Sequence, residues 1–419
     1  TPSVESGQYL TTSGTCSFDD LDLTDLSTVT VAYGSAVASS GATVSTALAT
    51  ALANLTNAFS ISGAGVGTSA HSGTVNWSFA IDNSLTQYLA TGETVKATYK
   101  ITVADDNNIA SASGNDKKSA LVQDLIVTIT GANDLPSISV ASGNSASSAL
   151  TEADAALTTS GTLSVADVDL SNTVAPSVLS VVAAGVTSGL SANNASLKAM
   201  LSVTPATVIS SSATTGTLTW SFNSGTEYFD HLGAGEQMTL TYTVRVTDSS
   251  GATADRAVVL TITGTNDASQ LTIAAAAATE AVSAAAQDLS ISGNLSILKK
   301  DQGSTLTLAQ GTPSVVWSGG AIPAGYDVSA LTAASVLTLN GGTASVAASA
   351  ATISVPWVYD PAALNLDWLR EGQTLTITYP ITVTDNQNVS VSQNLVIVLT
   401  GTNDTPLISE GNDTAAFTE

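Results

Sequence analysis

Residues 261–267 read TITGTND, and the rest of the chain is best read outward from them. Thr261, Ile262 and Thr263 alternate polar and apolar side chains, as a strand with one buried face does. Gly264 ends the alternation, and Asn266-Asp267 sets an amide and a carboxylate just beyond the strand. The same words recur at 128–134 as TITGAND and at 398–404 as VLTGTND, at intervals of 133 and 137 residues. Repetition at that period means several copies of one folded unit. The expected units are 1–134, 135–267 and 268–404, with 405–419 opening a further copy. Thr1-Pro2-Ser3-Val4 matches Leu135-Pro136-Ser137-Ile138 and Thr405-Pro406-Leu407-Ile408, so the chain reads as a segment of a longer array.

Two more phrases recur upstream. ATYKITVAD ends at Asp105, LTYTVRVTD at Asp248 and ITYPITVTD at Asp385. SGTCSFDDLD from Ser13 is matched by SGTLSVADVD from Ser160 and, less faithfully, by SGNLSILKKD from Ser292. In each phrase a strand pattern runs into a carboxylate.

Composition narrows the function classes. Ten Lys+Arg against 34 Asp+Glu give a net charge of −24, which repels nucleic acid and anionic membrane surfaces. Ala, Ser, Thr, Val and Gly dominate, the profile of many short strands. A single cysteine excludes an internal disulfide framework, and its alternation with Phe18 makes Cys16 a small core residue. No window reaches the roughly 18 apolar residues of a membrane span, so this segment is not expected to insert into a membrane.

Within each unit the apolar positions keep a period of two. Trp77 and Phe79, Trp220 and Phe222, Trp357 and Tyr359 share one face and read as core anchors. Tyr99, Tyr242 and Tyr379 open the penultimate strand as read here and are candidates for a tyrosine corner. The units exceed the roughly 100 residues of a seven-stranded immunoglobulin-like sandwich, and the surplus lies in variable middles near 32–72, 174–213 and 303–350. Leu48, Leu52 and Leu55, and Leu197, Met200 and Leu201, keep helical spacing there. The middles lack clustered aromatics of the kind a sugar platform needs. The fold class is all-β.

Strand directions in a seven-stranded sandwich place the acids. The second and sixth strands end at the upper pole, bringing Asp20, Asp22 and Asp105 together in unit one. In unit two they bring Asp167, Asp169 and Asp248 to the same pole. The last strand leaves Asn133 and Asp134 against them, with Glu93 from the preceding Gly-Glu turn and Glu5 if it sits low on the first strand. The next junction gathers Glu236, Asn266, Asp267 and Asp385, with Glu152 a further candidate ligand; Asn403 and Asp404 close unit three. So many carboxylates in a small volume repel one another unless compensated. Calcium, taking six to eight oxygen ligands, suits the set. The competing reading is solvated loop charge.

With these phrases in place, the chain resembles the VCBS repeats of very large bacterial surface proteins, including RTX-type adhesins exported by type I secretion. It is also similar to cadherin-type domains, whose D-x-D and N-D-x-P stretches bind calcium between neighbours. The resemblance covers all three units and is strongest in unit two. It implies immunoglobulin- or cadherin-like Greek-key sandwiches arranged end to end, Ca2+ at the linkers, and extender modules on the bacterial surface that serve adhesion or biofilm formation. The partners implied are neighbouring repeats of the same chain and a cell-surface or biofilm partner. Carried onto this sequence, the implied linker ligands are Asn133 and Asp134 with Asp167, Asp169 and Asp248. Unit three departs from the pattern: Lys299-Lys300-Asp301 replaces D-x-D, and Ala268-Ser269 follows Asn266-Asp267. An ammonium among those acids can take the place of a cation as an ion pair. Asp385, Glu236 and Asp301 leave room for a weaker site, so fewer ions, or none, are expected there.

An enzyme is not expected. His71 and His231 stand at unmatched positions, and no GxSxG, HExxH or P-loop occurs. The leading reading is a calcium-rigidified spacer; the alternative is an adhesive module that binds glycan, host protein or another copy through the variable loops.

Overall fold

The computed structural model describes residues 8–19, 27–39, 42–62, 72–105, 120–281, 287–301, 303–343, 345–346 and 352–406. The expected site residues Glu5, Asp20 and Asp22 lie outside them, and of Asp105 only the backbone is described. Strands dominate, as the period-two alternation predicts.

Unit two shows the plan most fully. One sheet runs in the order Leu201–Thr204, Thr215–Asn223, Thr158–Ala166, Ser137–Ser139; the other runs Val174–Gly185, Gln237–Asp248, Thr253–Thr263, Ser147–Thr151. The opening segment is shared between the sheets. Ser137–Ser139 pairs antiparallel with Thr158–Ala166, and Ser147–Thr151 pairs parallel with Thr253–Thr263. Unit three repeats this, with Gln270–Ile273 against Ile291–Leu298 and Ala276–Thr279 parallel to Ser390–Thr400. In unit one the described strands form the sheets Tyr9–Asp19, Ser72–Asp82, Phe59–Ser62 and Ser27–Ala38, Thr94–Asp105, Ala120–Thr130. Each pair of sheets encloses its own apolar cluster, and each cluster draws on one unit alone. The chain is a tandem array of β-sandwiches.

Register explains why the phrases repeat. Gly14, Gly161 and Gly293 of the SG phrases lie directly across from Trp77, Trp220 and Trp357. A Cβ at these glycines would stand 2.6, 2.5 and 2.6 Å from the indole ring, so the two phrases are halves of one packing device. Gly131, Gly264 and Gly401 serve the linker. Their N–H groups donate to the carbonyls of Glu93, Glu236 and Gln373, and a Cβ would meet the carbonyl oxygens of Leu89, Leu232 and Leu369 at 2.2–2.4 Å. The exit of each unit is thereby pressed onto its own Gly-Glu or Gly-Gln turn.

Short helices, Thr46–Ala53 and Asn194–Ala199, capped by Ser45 and Asn193, stand in the middles of units one and two, but Leu55 lies past the first helix's C-cap, Asn54. Met200 is already the C-cap and Leu201 begins a strand, so the second helix is shorter than its spacing suggested. The tyrosines correct a second expectation. Tyr99, Tyr242 and Tyr379 sit mid-strand, and their hydroxyls donate to the carbonyls of Leu52, Leu197 and Leu331 at 2.9, 2.8 and 3.0 Å. They pin the helical segment of the middle onto the sandwich rather than forming a corner at the strand's start.

Candidate metal centre

The exit of unit one is tied to the entry loops of unit two. Asp134 N–H donates to Asp169 Oδ2 at 2.9 Å, and Asn133 Nδ2 donates to Asp248 Oδ2 at 2.8 Å. Asn172 Nδ2 bridges Asn133 Oδ1 and Asp169 Oδ2 at 3.0 and 3.1 Å. One backbone bond crosses directly, from Leu170 N–H to the Tyr88 carbonyl at 3.1 Å. Strand Thr158–Ala166 delivers Asp167 and Asp169, and strand Gln237–Asp248 ends on Asp248, whose Oδ1 accepts from Ser250 and Ala252.

Asp167 and Asp169 are 2% and 0% exposed, yet among the described residues Asp167 Oδ2 and Asp169 Oδ1 have no hydrogen-bond partner. Leaving such a group buried costs about 1–3 kcal/mol, more when it is charged. Burial pushes Asp169 up to about 7, against the Asp134 N–H bond and reinforced by Asp167, Asp134 and Asp248. Asp167 and Asp134 are raised for the same leading reason. A hard cation answers all of this at once: it supplies the missing partner and the missing charge. The residues present therefore fit calcium. Glu93 is held differently, its Oε2 accepting from Ala90 N–H in its own turn; Glu236 does the same with Gly233, and Gln373 with Arg370.

The second junction repeats the frame. Asp267 N–H donates to Asp301 Oδ2 at 3.0 Å, and Asn266 Nδ2 to Asp385 Oδ2 at 2.9 Å. Glu152, 2% exposed, accepts from Thr265 N–H and so fastens the start of unit two to its own exit. Glu152 Oε1, Asp230 Oδ1, Asp267 Oδ2 and Asp301 Oδ1 are buried with no hydrogen-bond partner among the described residues. Burial pushes Asp301 to about 7 and Asp267 to about 6. Two ammonium groups enter here. Lys299, 3% exposed, donates to the Ser304 carbonyl at 3.1 Å. Lys300 pairs with Asp154 and lies 3.3 Å from Asp230 and 3.7 Å from Asp267.

Glu152, Asp230 and Asp267 each offer an oxygen within 4.8 Å of the others, and Glu280, Asp367 and Asp404 repeat that triad at the end of unit three. Glu280 accepts from Thr402 N–H as Glu152 does from Thr265. Asn403 is exposed beside it. Sequence reasoning missed Asn172, Asp230, Glu280 and Asp367, which stand outside the shared phrases. Counting from Trp to the turn glycine puts Asp230 and Asp367 in register with each other and with Gln87, so one copy breaks the pattern. One aromatic group lies at the edge of the third middle. Trp317 and Tyr326 of the third middle meet Trp368, with ring centroids 5.6 and 5.0 Å from it, and Tyr326 is 48% exposed.

No family model matches the chain, and no curated protein matches it. Solved structures do. Cadherin domains 1–4 of protocadherin gamma B7 are 14% identical with a TM-score of 0.32, over 88% of this chain and 67% of that one. Mouse protocadherin-24 domains 1–3 are 10% identical with a TM-score of 0.27, over 83% and 90%. The Yersinia pseudotuberculosis adhesin InvE is 14% identical with a TM-score of 0.21, over 62% and 58%. The chain spans 67% and 65% of the first two solved chains that it matches. All these TM-scores are below 0.5, and the tandem-sandwich description stands on strand order and register. Among the described residues no helix is long and apolar enough to cross a membrane.

Proposed function

We propose that the chain is a calcium-stiffened spacer in an extracellular adhesin, holding a distal binding domain away from the cell. In this reading Asn133, Asp134, Asp167, Asp169 and Asp248 hold Ca2+ at the first junction, with Glu93 at its margin. Glu152, Asp230 and Asp267, and then Glu280, Asp367 and Asp404, hold it at the lower poles of units two and three. The observation that carries the reading is the pair of buried, unpartnered oxygens on Asp167 and Asp169, set where unit one's linker bonds unit two's loops. When bound, the ion supplies fixed positive charge that joins acids from two units. The chain's own bonds already hold those acids in place, so little ordering remains to oppose binding. Repetition favours a mechanical role over a catalytic one, since an array seldom needs one active site per link. The bacterial-surface setting follows from the resemblance to VCBS repeats.

Small-angle scattering in millimolar calcium and after chelation, with melts alongside, tests this. A rod with units of roughly 40–50 Å, from ten-residue strands at about 3.3 Å per residue plus loops, should loosen and melt earlier on chelation. Identical profiles and melts would defeat the reading. The Trp317, Tyr326 and Trp368 cluster favours a second reading, an adhesive module that binds sugar through aromatic faces. Saturable glycan-array binding lost in Tyr326→Ala would support it.

A further inference from the structure

The two junctions share a frame and differ by a charge reversal inside it. Asp134 on Asp169 and Asn133 on Asp248 are reproduced, within 0.1 Å, by Asp267 on Asp301 and Asn266 on Asp385. Within that frame Asp167 and Lys299 occupy one position, two residues ahead of Asp169 and Asp301. Both are buried, at 2% and 3% exposure. A buried carboxylate with an unpartnered oxygen calls for a cation; a buried ammonium side chain at the same position of the frame brings one with it. Burial lowers the Lys299 ammonium below the ordinary lysine value, and Asp301 and Glu236 oppose that by favouring its charged form. A Cβ at Gly233 would lie 3.5 Å from Glu236 Oε2 and 3.8 Å from Asp301 Cβ, so the unit-two turn abuts the unit-three loop here. Lys300, in register with the exposed Val168, reaches the other way, to Asp154, Asp230 and Asp267.

We infer that Lys299 is a built-in cation. Its ammonium stands where the first junction takes an ion, so the second junction stays closed when calcium is withdrawn. The inference rests on the calcium reading of the first junction. Lys300 adds a second tie from unit three to acids of unit two and its linker. The oxygens of Glu152, Asp230 and Asp267 that remain unpartnered can still take an ion, but one bound there reinforces a joint already pinned. The array then bends selectively: calcium loss frees the first joint and leaves units two and three as one arm.

The test uses the whole chain, with Cys16→Ala and spin-label pairs on exposed positions flanking each junction. Distance distributions are read in millimolar calcium and in chelator, and bound calcium is counted by equilibrium dialysis. Chelation should broaden the first junction's distances and leave the second's unchanged. Lys299→Asp should make the second junction broaden on chelation, recover with calcium, and gain bound calcium. Asp167→Lys should abolish the first junction's response and lose bound calcium, and it carries the test if Lys299→Asp does not fold. Equal broadening at both junctions, or no change in bound calcium in either folded variant, overturns this inference and leaves the calcium reading standing. No response at either junction with no calcium bound overturns both.

Discussion

At the residue scale the decisive groups are acids that burial holds partly protonated. Asp169 and Asp301 sit at about 7 and Asp267 at about 6 in the folded chain, against 3.8 as the ordinary value. Between those limits the folded state binds protons that the unfolded state has released, so stability falls as pH rises through the window. The chelated protein should therefore melt higher at about pH 5 than at about pH 7.5, and millimolar calcium, which binds the deprotonated form, should flatten or reverse the trend. Melts across that range check this; a chelated protein that gains stability toward pH 7.5 contradicts it. Asp169→Asn should raise the chelated melting temperature by removing one uncompensated charge. It should also shrink the calcium-induced gain, about 2.7 kcal/mol at a hundredfold excess over Kd for an intact site. Much of this site was legible, because D-x-D and N-D repeat at strand ends. Asp230 was not, since its unit-one counterpart is Gln87, and Glu280 was hidden by the alanine-rich run around it.

At the scale of elements, the repeated tyrosine works across the sandwich. Tyr242 is fully buried and its hydroxyl holds the Leu197 carbonyl, which also accepts from Met200 N–H. Tyr242→Phe should cost about 1 kcal/mol, because the carbonyl keeps one partner. Hydrogen exchange should accelerate in 194–199 and stay unchanged in units one and three. Tyr379→Phe should cost about the same, since the Leu331 carbonyl likewise keeps one partner, the Tyr359 hydroxyl at 3.1 Å. Equal exchange in wild type and Tyr242→Phe would show that the helix is held by Leu197 packing alone. Strand existence was readable from alternation, as was the inward stripe of tryptophans. What the glycines were for was not, because the contact between Gly161 and Trp220 exists only once the register pairs them. Gly161→Ala should accordingly cost about 1–3 kcal/mol by overpacking, visible as a shift in one melting transition.

At the scale of the whole molecule, three separate cores cannot transmit stiffness, and a net charge of −24 works against compaction. Two explanations of the acids then make different demands on the solvent. If they act as diffuse surface charge, any electrolyte relieves them, since about 0.15 M salt already screens beyond roughly 8 Å. If they form sites, screening is beside the point, because a buried oxygen such as Asp169 Oδ1 still lacks a partner. An ion that sheds water and accepts irregular oxygen geometry provides one. Magnesium demands a near-ideal octahedron and dehydrates reluctantly, whereas calcium tolerates six to eight ligands. After chelation and removal of the chelator, raising sodium chloride to about 1 M should therefore leave the scattering profile loose, magnesium should tighten it partially, and calcium at about 1 mM should restore the rod. Full recovery in sodium chloride alone would assign the acids to bulk repulsion and move the search for function to the Trp317, Tyr326 and Trp368 surface.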